Sequence, residues 1–298
     1  PMSIFEPAAV AAAMTWAFSA VIAAGPSAEL GAIAFNRLRM GIVLVVLAVF
    51  VALTGGWRTL ETAHIFPLVL SGFIGIFLGD TCLFLTMNRL GPRRSNILFS
   101  TNAPISAVLG WLFLGETIVG QKILGIAIVF AGVVLAIVFG KRRSQLSTWE
   151  AVKGPMWLGI ALGMGAALCQ SIGSLIARPG METGVDPATA STLRVFVSVV
   201  CLTALMATGI RAVQPRAKLT LKTASIVGLS GISAMGIGMT LILFALSGGK
   251  VGIVATLSAA TPAWILPLIW IKTGERPAAF AWLGAGLVIL GSSLIFAA

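Results

Sequence analysis

Charged side chains are scarce in this chain: they make up 10% of its 298 residues, whereas hydrophobic residues make up 58%. A soluble domain carries about 25% charged residues, because its surface must be hydrated. So little charge excludes a water-soluble globular protein and predicts a polytopic membrane protein. Acidic residues are scarcer than basic ones, with nine Asp and Glu against 20 Lys and Arg. The net charge of +11 requires no nucleic-acid partner, because cytoplasmic loops of membrane proteins collect Lys and Arg.

Metal-ligating and catalytic side chains are equally few. The three cysteines, Cys82, Cys169 and Cys201, lie far apart in apolar runs and indicate neither a disulfide framework nor a metal site. There is one histidine, His64, and one carboxylate well inside an apolar run, Asp80. An intramembrane enzyme would need a constellation such as HExxH, paired aspartates or a Ser/His dyad. We therefore expect neither an enzyme nor a cofactor.

Long apolar runs are what the chain does have. A membrane-spanning helix needs about 20 mostly apolar residues, and ten runs qualify, which predicts an all-α fold of ten transmembrane helices. The predicted spans are 7–25, 33–54, 65–86, 95–114, 121–139, 155–177, 187–209, 223–246, 251–271 and 279–297.

Lys and Arg are divided unequally between the loops. Thirteen follow odd-numbered spans and four follow even-numbered spans. Because cytoplasmic loops carry the excess of basic residues, this predicts that the odd-numbered loops are cytoplasmic and that both termini are periplasmic.

The second half of the chain repeats motifs of the first half in the same order. The pairs are Leu70–Thr81 with Leu229–Thr240, Ser100–Pro104 with Ser258–Pro262, Gly115-Glu116 with Gly274-Glu275, Gly125 with Gly284, Gly132 with Gly291, and Arg39 with Arg194. We predict two five-helix repeats, 1–140 and 155–298, joined by a cytoplasmic loop over 141–154. Because five is odd, the second repeat enters the membrane inverted. Inverted repeats are typical of secondary transporters, whose substrate site lies near the midplane between the repeats.

These features together resemble a known family. Each repeat has a proline in its fourth helix, Pro104 or Pro262, followed 11 or 12 residues later by Gly-Glu, and a basic residue near the start of its second helix. The pattern resembles the ten-helix EamA type of the drug/metabolite transporter superfamily, and within it the bacterial exporters of aromatic amino acids. The resemblance implies a central cavity between the repeats, export by alternating access and location in the bacterial inner membrane.

One departure from the superfamily concerns proton coupling. Its four-helix multidrug members carry a proton-coupling Glu in the first helix, whereas the only acid of the first span here is Glu6, at its very start. Coupling by that route is therefore not expected, and facilitated diffusion is the alternative.

Asp80 is the first candidate functional residue, because ionisable groups in hydrocarbon are costly and usually face the bundle interior. It could pair with Arg39 or with Arg37, both near the cytoplasmic end of span two. Such a pair could bind a substrate ammonium or gate the cytoplasmic side, or it could be a fixed structural pair. Its repeat partner is Met239, so the repeat symmetry does not require a carboxylate.

Polar and aromatic residues inside the spans supply further candidates. Thr15 and Ser19 share one helix face, four residues apart, and Gln170 with Ser174 repeats this arrangement. Such groups line a cavity or tie helices together, and a mid-membrane Trp either packs against lipid or offers a wall for a flat substrate. The substrate-binding candidates are Trp16, Thr15, Ser19, Asp80, Asn102, Gln170, Ser174 and Trp264.

Pro104 and Pro262 are the candidate hinges. Proline removes a backbone donor and clashes with the carbonyl four residues earlier, so each should kink its helix or free a carbonyl. Gly75 and Gly79 form a GxxxG pair that favours close helix packing, and they could also serve helix sliding.

The function predicted is a secondary exporter of aromatic or hydrophobic amino acids. The alternative is a carrier of another small solute, such as a sugar, a nucleotide sugar or a drug. The expected partners are the small-molecule substrate and the lipid bilayer. Because one chain holds both repeats, we expect a monomer.

Overall fold

A computed structural model describes residues 4–114, 120–139, 152–248, 257–258 and 260–296, and the elements it describes are helical, without a strand. The α-helices are α1 (Phe5–Leu30), α2 (Ala32–Thr54), α3 (Thr62–Ser71), α4 (Gly79–Leu90), α5 (Pro92–Phe99), α6 (Asn102–Leu114), α7 (Gly120–Val138), α8 (Met156–Glu182), α9 (Pro187–Ala207), α10 (Leu221–Gly231), α11 (Met239–Gly248), α12 (Thr261–Thr273) and α13 (Ala279–Phe296).

The described helices confirm the polytopic fold. Seven helical stretches are long and apolar enough to cross a membrane, and two shorter apolar ones, Gly120–Ala136 and Ala279–Ile295, match the predicted fifth and tenth spans. α12, of 13 residues, is a described part of the predicted ninth span, so each of the ten predicted spans corresponds to a described helical stretch. The start of the predicted ninth span and the motif Gly115-Glu116 lie outside the described residues.

The first helix is longer than the sequence indicated. The span was expected to end at Gly25, but α1 continues through Pro26 to Leu30. Pro is tolerated in a membrane helix where neighbouring groups satisfy the freed backbone. The helix ends instead at Gly31, whose φ of 87° is readily adopted by glycine and disfavoured for other residues.

Spans three and eight are each interrupted by a π-helix, which the hydropathy pattern did not indicate. The first π-helix is Gly72–Leu78, between α3 and α4, and the second is Ile232–Gly238, between α10 and α11. They occupy matching places in the two repeats, and each packs against the other repeat. A Cβ on Gly72 would lie 2.7 Å from the Cα of Arg194, and one on Gly231, the residue just before the second π-helix, would lie 3.0 Å from the carbonyl oxygen of Arg39. Since Arg194 is the repeat partner of Arg39, the two crossings are equivalent.

The crossing of α7 with α13 shows the inverted symmetry directly. Cβ atoms built on Gly125 and Gly132 would lie 2.7 and 2.8 Å from the carbonyl oxygens of Gly291 and Gly284. Gly125 and Gly284 are repeat partners, as are Gly132 and Gly291. Gly125 therefore touches the repeat partner of Gly132, and Gly132 touches the repeat partner of Gly125. The residue numbers run in opposite directions along the two helices, which are therefore antiparallel.

This crossing generates a stability prediction. Gly284→Ala would place its methyl group 2.5 Å from Cβ of Ala136, and such overpacking typically costs about 1–3 kcal/mol. We expect a lower midpoint of thermal unfolding for the purified protein in detergent, followed by tryptophan fluorescence. Gly286→Ala is the matched control, because a Cβ there meets no atom within 4 Å and the residue is exposed. Equal midpoints for the two variants would contradict the glycine-mediated crossing.

Candidate functional site

A cavity lies between the two repeats. The first repeat contributes lining residues from α1, α2, α4, α5 and α6, and the second from α8, the second π-helix, α11 and α12. The central cavity is therefore completed within one chain.

The apolar wall of the cavity is rich in aromatic rings and methionines. It consists of Trp16, Ala20, Leu83, Phe84, Met87, Phe99, Ala234, Met235 and Met239. Trp16 has a defined orientation, because its Nε1 donates a hydrogen bond to the carbonyl oxygen of Ala234 over 3.0 Å. That carbonyl belongs to the second π-helix, so the ring is fixed by the opposite repeat. Methionine side chains are adaptable and fill irregular gaps around varied ligands.

The polar lining that the structure describes is uncharged except for one ion pair. It contains Ser19, Ser95, Asn96, Ser100, Asn102, Gln170, Ser258 and Thr261. Some of these groups are used by the fold: the Ser19 hydroxyl donates to the carbonyl oxygen of Ser230 over 2.9 Å, and the Asn96 amide donates to that of Pro92 over 2.8 Å. Among the described residues the Asn102 side chain has no hydrogen-bond partner, and the Gln170 amide makes one long bond of 3.4 Å to the Ser174 hydroxyl. These two amides are available to a solute.

Arg39 and Asp80 form the buried ion pair of the cavity. Nη1 of Arg39 lies 2.9 Å from Oδ2 of Asp80, and both side chains are over 90% buried. The guanidinium also lies over the Phe84 ring, 5.0 Å from its centroid. The sequence offered two arginines as partners for Asp80, and in the structure Arg39 forms the ion pair. Arg37 is exposed and donates from Nε to the hydroxyl of Thr203 over 3.1 Å.

The second repeat contains the same contact without a carboxylate. Arg194 is 1% exposed, and its Nη1 lies 3.5 Å from the sulfur of Met239. Arg194 and Met239 are the repeat partners of Arg39 and Asp80. Within the described part of the chain, Nε and Nη2 of Arg194 have no hydrogen-bond partner. The centre therefore holds two buried guanidinium groups and one carboxylate.

Not every candidate from the sequence reaches the cavity. Trp16, Ser19, Asp80, Asn102 and Gln170 line it. Three others are not among the lining residues. Thr15 donates to the Ala12 carbonyl of its own helix over 2.8 Å, Ser174 accepts from the Gln170 amide over 3.4 Å, and Trp264 is 37% exposed.

The candidate hinge residues lie at helix junctions. Pro104 is the third residue of α6, after the Ser100–Thr101 turn that separates α5 from α6, and Pro262 is in the first turn of α12. A missing backbone donor costs nothing in the first turn of a helix. A Cβ on Gly75 or Gly79 would lie 3.2 Å from the Cα of Gly173 or 3.4 Å from the Cβ of Cys169, so both glycines pack on α8.

The sequence reasoning missed the contribution of α5. This helix supplies Ser95, Asn96 and Phe99 to the cavity, followed by Ser100. The signal was present, because the start of the predicted fourth span is unusually polar for a membrane helix. Among the described residues no group of three or more His, Cys, Asp or Glu could hold a metal ion.

Comparison with known proteins identifies the family. A solved crystal structure superposes with a TM-score of 0.74 over 99% of this chain and 96% of its own length, at 15% identity, which is a likeness of fold. No curated protein matches the chain. The model of the EamA-like transporter family matches twice, over residues 5–138 and 157–297. These two matches span both repeats and the cavity between them, and the chain belongs to the EamA-like transporter family.

Proposed function

We propose that this membrane transporter exports aromatic and other hydrophobic amino acids and related small metabolites by alternating access through the central cavity. The observation that carries the proposal is the composition of the lining: an aromatic and methionine wall beside the Arg39–Asp80 pair and two available amides. An amino acid has the complementary parts, an apolar side chain and a zwitterionic head.

The ion pair supplies the two charges that such a head requires. Arg39 can receive the substrate carboxylate while Asp80 receives the ammonium group, so each buried charge keeps a counter-ion when the pair opens. Trp16 and Phe84 offer ring faces for an aromatic side chain. Contacts of this kind contribute about 0.5–1.5 kcal/mol beyond area burial, which favours a broad range of substrates.

The inverted repeats supply the two gates that alternating access requires. Pro104 and Pro262 begin helices at matching places in the two repeats, and because the repeats are inverted these junctions lie in opposite leaflets. We propose that α6 and α12 rock at these junctions. Gly75 and Gly79, which allow the first π-helix and the start of α4 to approach α8 closely, permit sliding along that face.

The alternative is transport of another small solute. A nucleotide sugar carries phosphates and would require several cations, whereas Arg39, the only cation in the described cavity lining, is paired with Asp80. A neutral sugar or a drug would not use the ion pair. The lining therefore favours a zwitterion.

The setting that we propose is a single chain in the bacterial inner membrane. Both halves of the cavity come from one polypeptide, so a monomer suffices. The family matches at 5–138 and 157–297 suit the repeat limits 1–140 and 155–298 with a connecting loop over 141–154. The basic loops lie on the cytoplasmic side.

Transport into proteoliposomes tests the substrate. We expect saturable uptake of Phe and Trp, and about tenfold slower uptake for Gln170→Ala, which removes one polar contact worth about 1–1.5 kcal/mol. Trp264→Ala is the control, since this tryptophan lies outside the cavity, and it should transport normally. Saturable flux of sugars without flux of amino acids would favour the alternative. Flux that is independent of a pH gradient would identify facilitated diffusion.

Substitutions of the ion pair separate stability from transport. Asp80→Asn leaves the Arg39 charge uncompensated, and breaking a buried pair on one side costs about 3–5 kcal/mol. The double variant Arg39→Met with Asp80→Leu removes both charges and should regain most of that stability in thermal unfolding. We expect it to remain unable to transport amino acids. A double variant with normal uptake would reduce the pair to a structural role.

Cysteine labelling of whole cells tests the orientation. Lys218→Cys, in the exposed segment after α9, should react with a membrane-impermeant maleimide only after the membrane is opened. Arg58→Cys, in the exposed segment after α2, should react in intact cells. The reverse pattern would invert the proposed topology.

A further inference from the structure

A second cavity lies at the end of the bundle that carries the basic loops. It lies between the C-terminal end of α4, the start of α2, the start of α8 and the segment before α10. Among the described residues its polar lining is Asn88, Arg89, Lys153 and Arg216, with no acidic residue. Nothing in the proposed transport cycle uses this cavity.

The backbone that carries these basic side chains is held in place. The Lys153 N–H donates to the carbonyl oxygen of Arg89 over 2.8 Å, and the Arg216 N–H donates to that of Leu30 over 3.1 Å. Asn88 is fixed as well, since its amide donates to the carbonyl oxygen of Ser27 and its own oxygen accepts from the Ser27 hydroxyl, both over 2.9 Å. The cluster is thus built by hydrogen bonds between separate elements.

The three cations lack counter-ions within the part of the chain that the structure describes. The ion pairs found there are Arg39–Asp80 and Arg178–Glu182. Arg89 donates from Nη1 to the carbonyl oxygen of Leu85 over 3.3 Å, which leaves its other guanidinium donors for a ligand. The Arg216 side chain lies beside Gly31, where a built Cβ would be 3.4 Å from Nε.

Two further features select the ligand class. Gly154 and Pro155 line the cavity where α8 begins at Met156, so the positive end of a 27-residue helix adds to the three cations. Ile33, Leu85 and Leu158 form an apolar wall beside them. Basic pockets next to apolar helix faces at the cytoplasmic surface suit anionic lipid headgroups. We propose that this cavity binds a phosphate group, that of an anionic phospholipid with its acyl chain along the apolar wall.

The position of the site gives binding a structural consequence. Arg89 belongs to the first repeat, Arg216 to the second, and Lys153 to the segment that leads into the second. A phosphate held by all three ties the repeats together at one end of the bundle, so bound lipid should stabilise the fold.

Thermal unfolding of the full chain in a neutral detergent tests the site. The probes are short-chain phosphatidylglycerol, phosphatidylcholine of equal chain length, and inorganic phosphate. We expect phosphatidylglycerol to raise the midpoint in a saturable way and phosphatidylcholine to have little effect. A basic residue near an anionic surface contributes about fivefold in affinity. Lys153→Gln with Arg216→Gln should therefore weaken the apparent affinity about 25-fold.

The controls keep charge and folding separate. Lys218→Gln with Lys222→Gln removes the same charge from exposed residues outside the cavity and should bind normally. Lys153→Arg with Arg216→Lys keeps the charge and should retain binding. Equal stabilisation by inorganic phosphate would assign the site to free phosphate. No saturable effect of either anion, or equal losses in the site and control variants, would overturn the proposal.

Discussion

The requirement that charge inside a membrane be compensated governs the centre of this molecule. Arg39, Arg194 and Asp80 are all buried where the repeats meet, and an uncompensated ion in hydrocarbon is costly. Arg39 meets this requirement with a carboxylate at 2.9 Å and the Phe84 ring at 5.0 Å. For these groups to meet, α2 and α4 must converge on one point, and the central cavity opens beside that point.

Close backbone approach makes the convergence of two inverted repeats feasible. Glycines at the crossing of α7 with α13, and at the two π-helices, bring carbonyl groups within reach of the facing helix. The π-helices also reposition backbone acceptors, and Trp16 uses one of them, the Ala234 carbonyl. π-helices are frequent at functional sites, and here both adjoin the buried arginines.

The departure from symmetry at Asp80 and Met239 has the strongest bearing on function. The Arg39 contact and the Arg194 contact occupy matching places in the two repeats, yet only the Arg39 contact includes a carboxylate. If this contact served packing alone, a methionine thioether could stand at both positions, as it does at Met239. Asp80 therefore supports a central cavity adapted to a zwitterion. The cations around Arg89 line a different cavity and support a separate anion site.

The sequence by itself determined the ten spans, the two repeats and the polytopic fold, because apolar length and the recurrence of motifs are one-dimensional properties. It also narrowed the partners of Asp80 to Arg37 and Arg39. Only the tertiary structure decided between them, since residues two apart on a helix point about 200° apart, and packing selects the inward one. The same reason separates Trp16 from Trp264, because hydropathy is identical for a ring that lines the cavity and one that lies outside it. The π-helices and the polar face of α5 likewise depend on neighbouring elements, since local propensity does not encode which helix lies opposite.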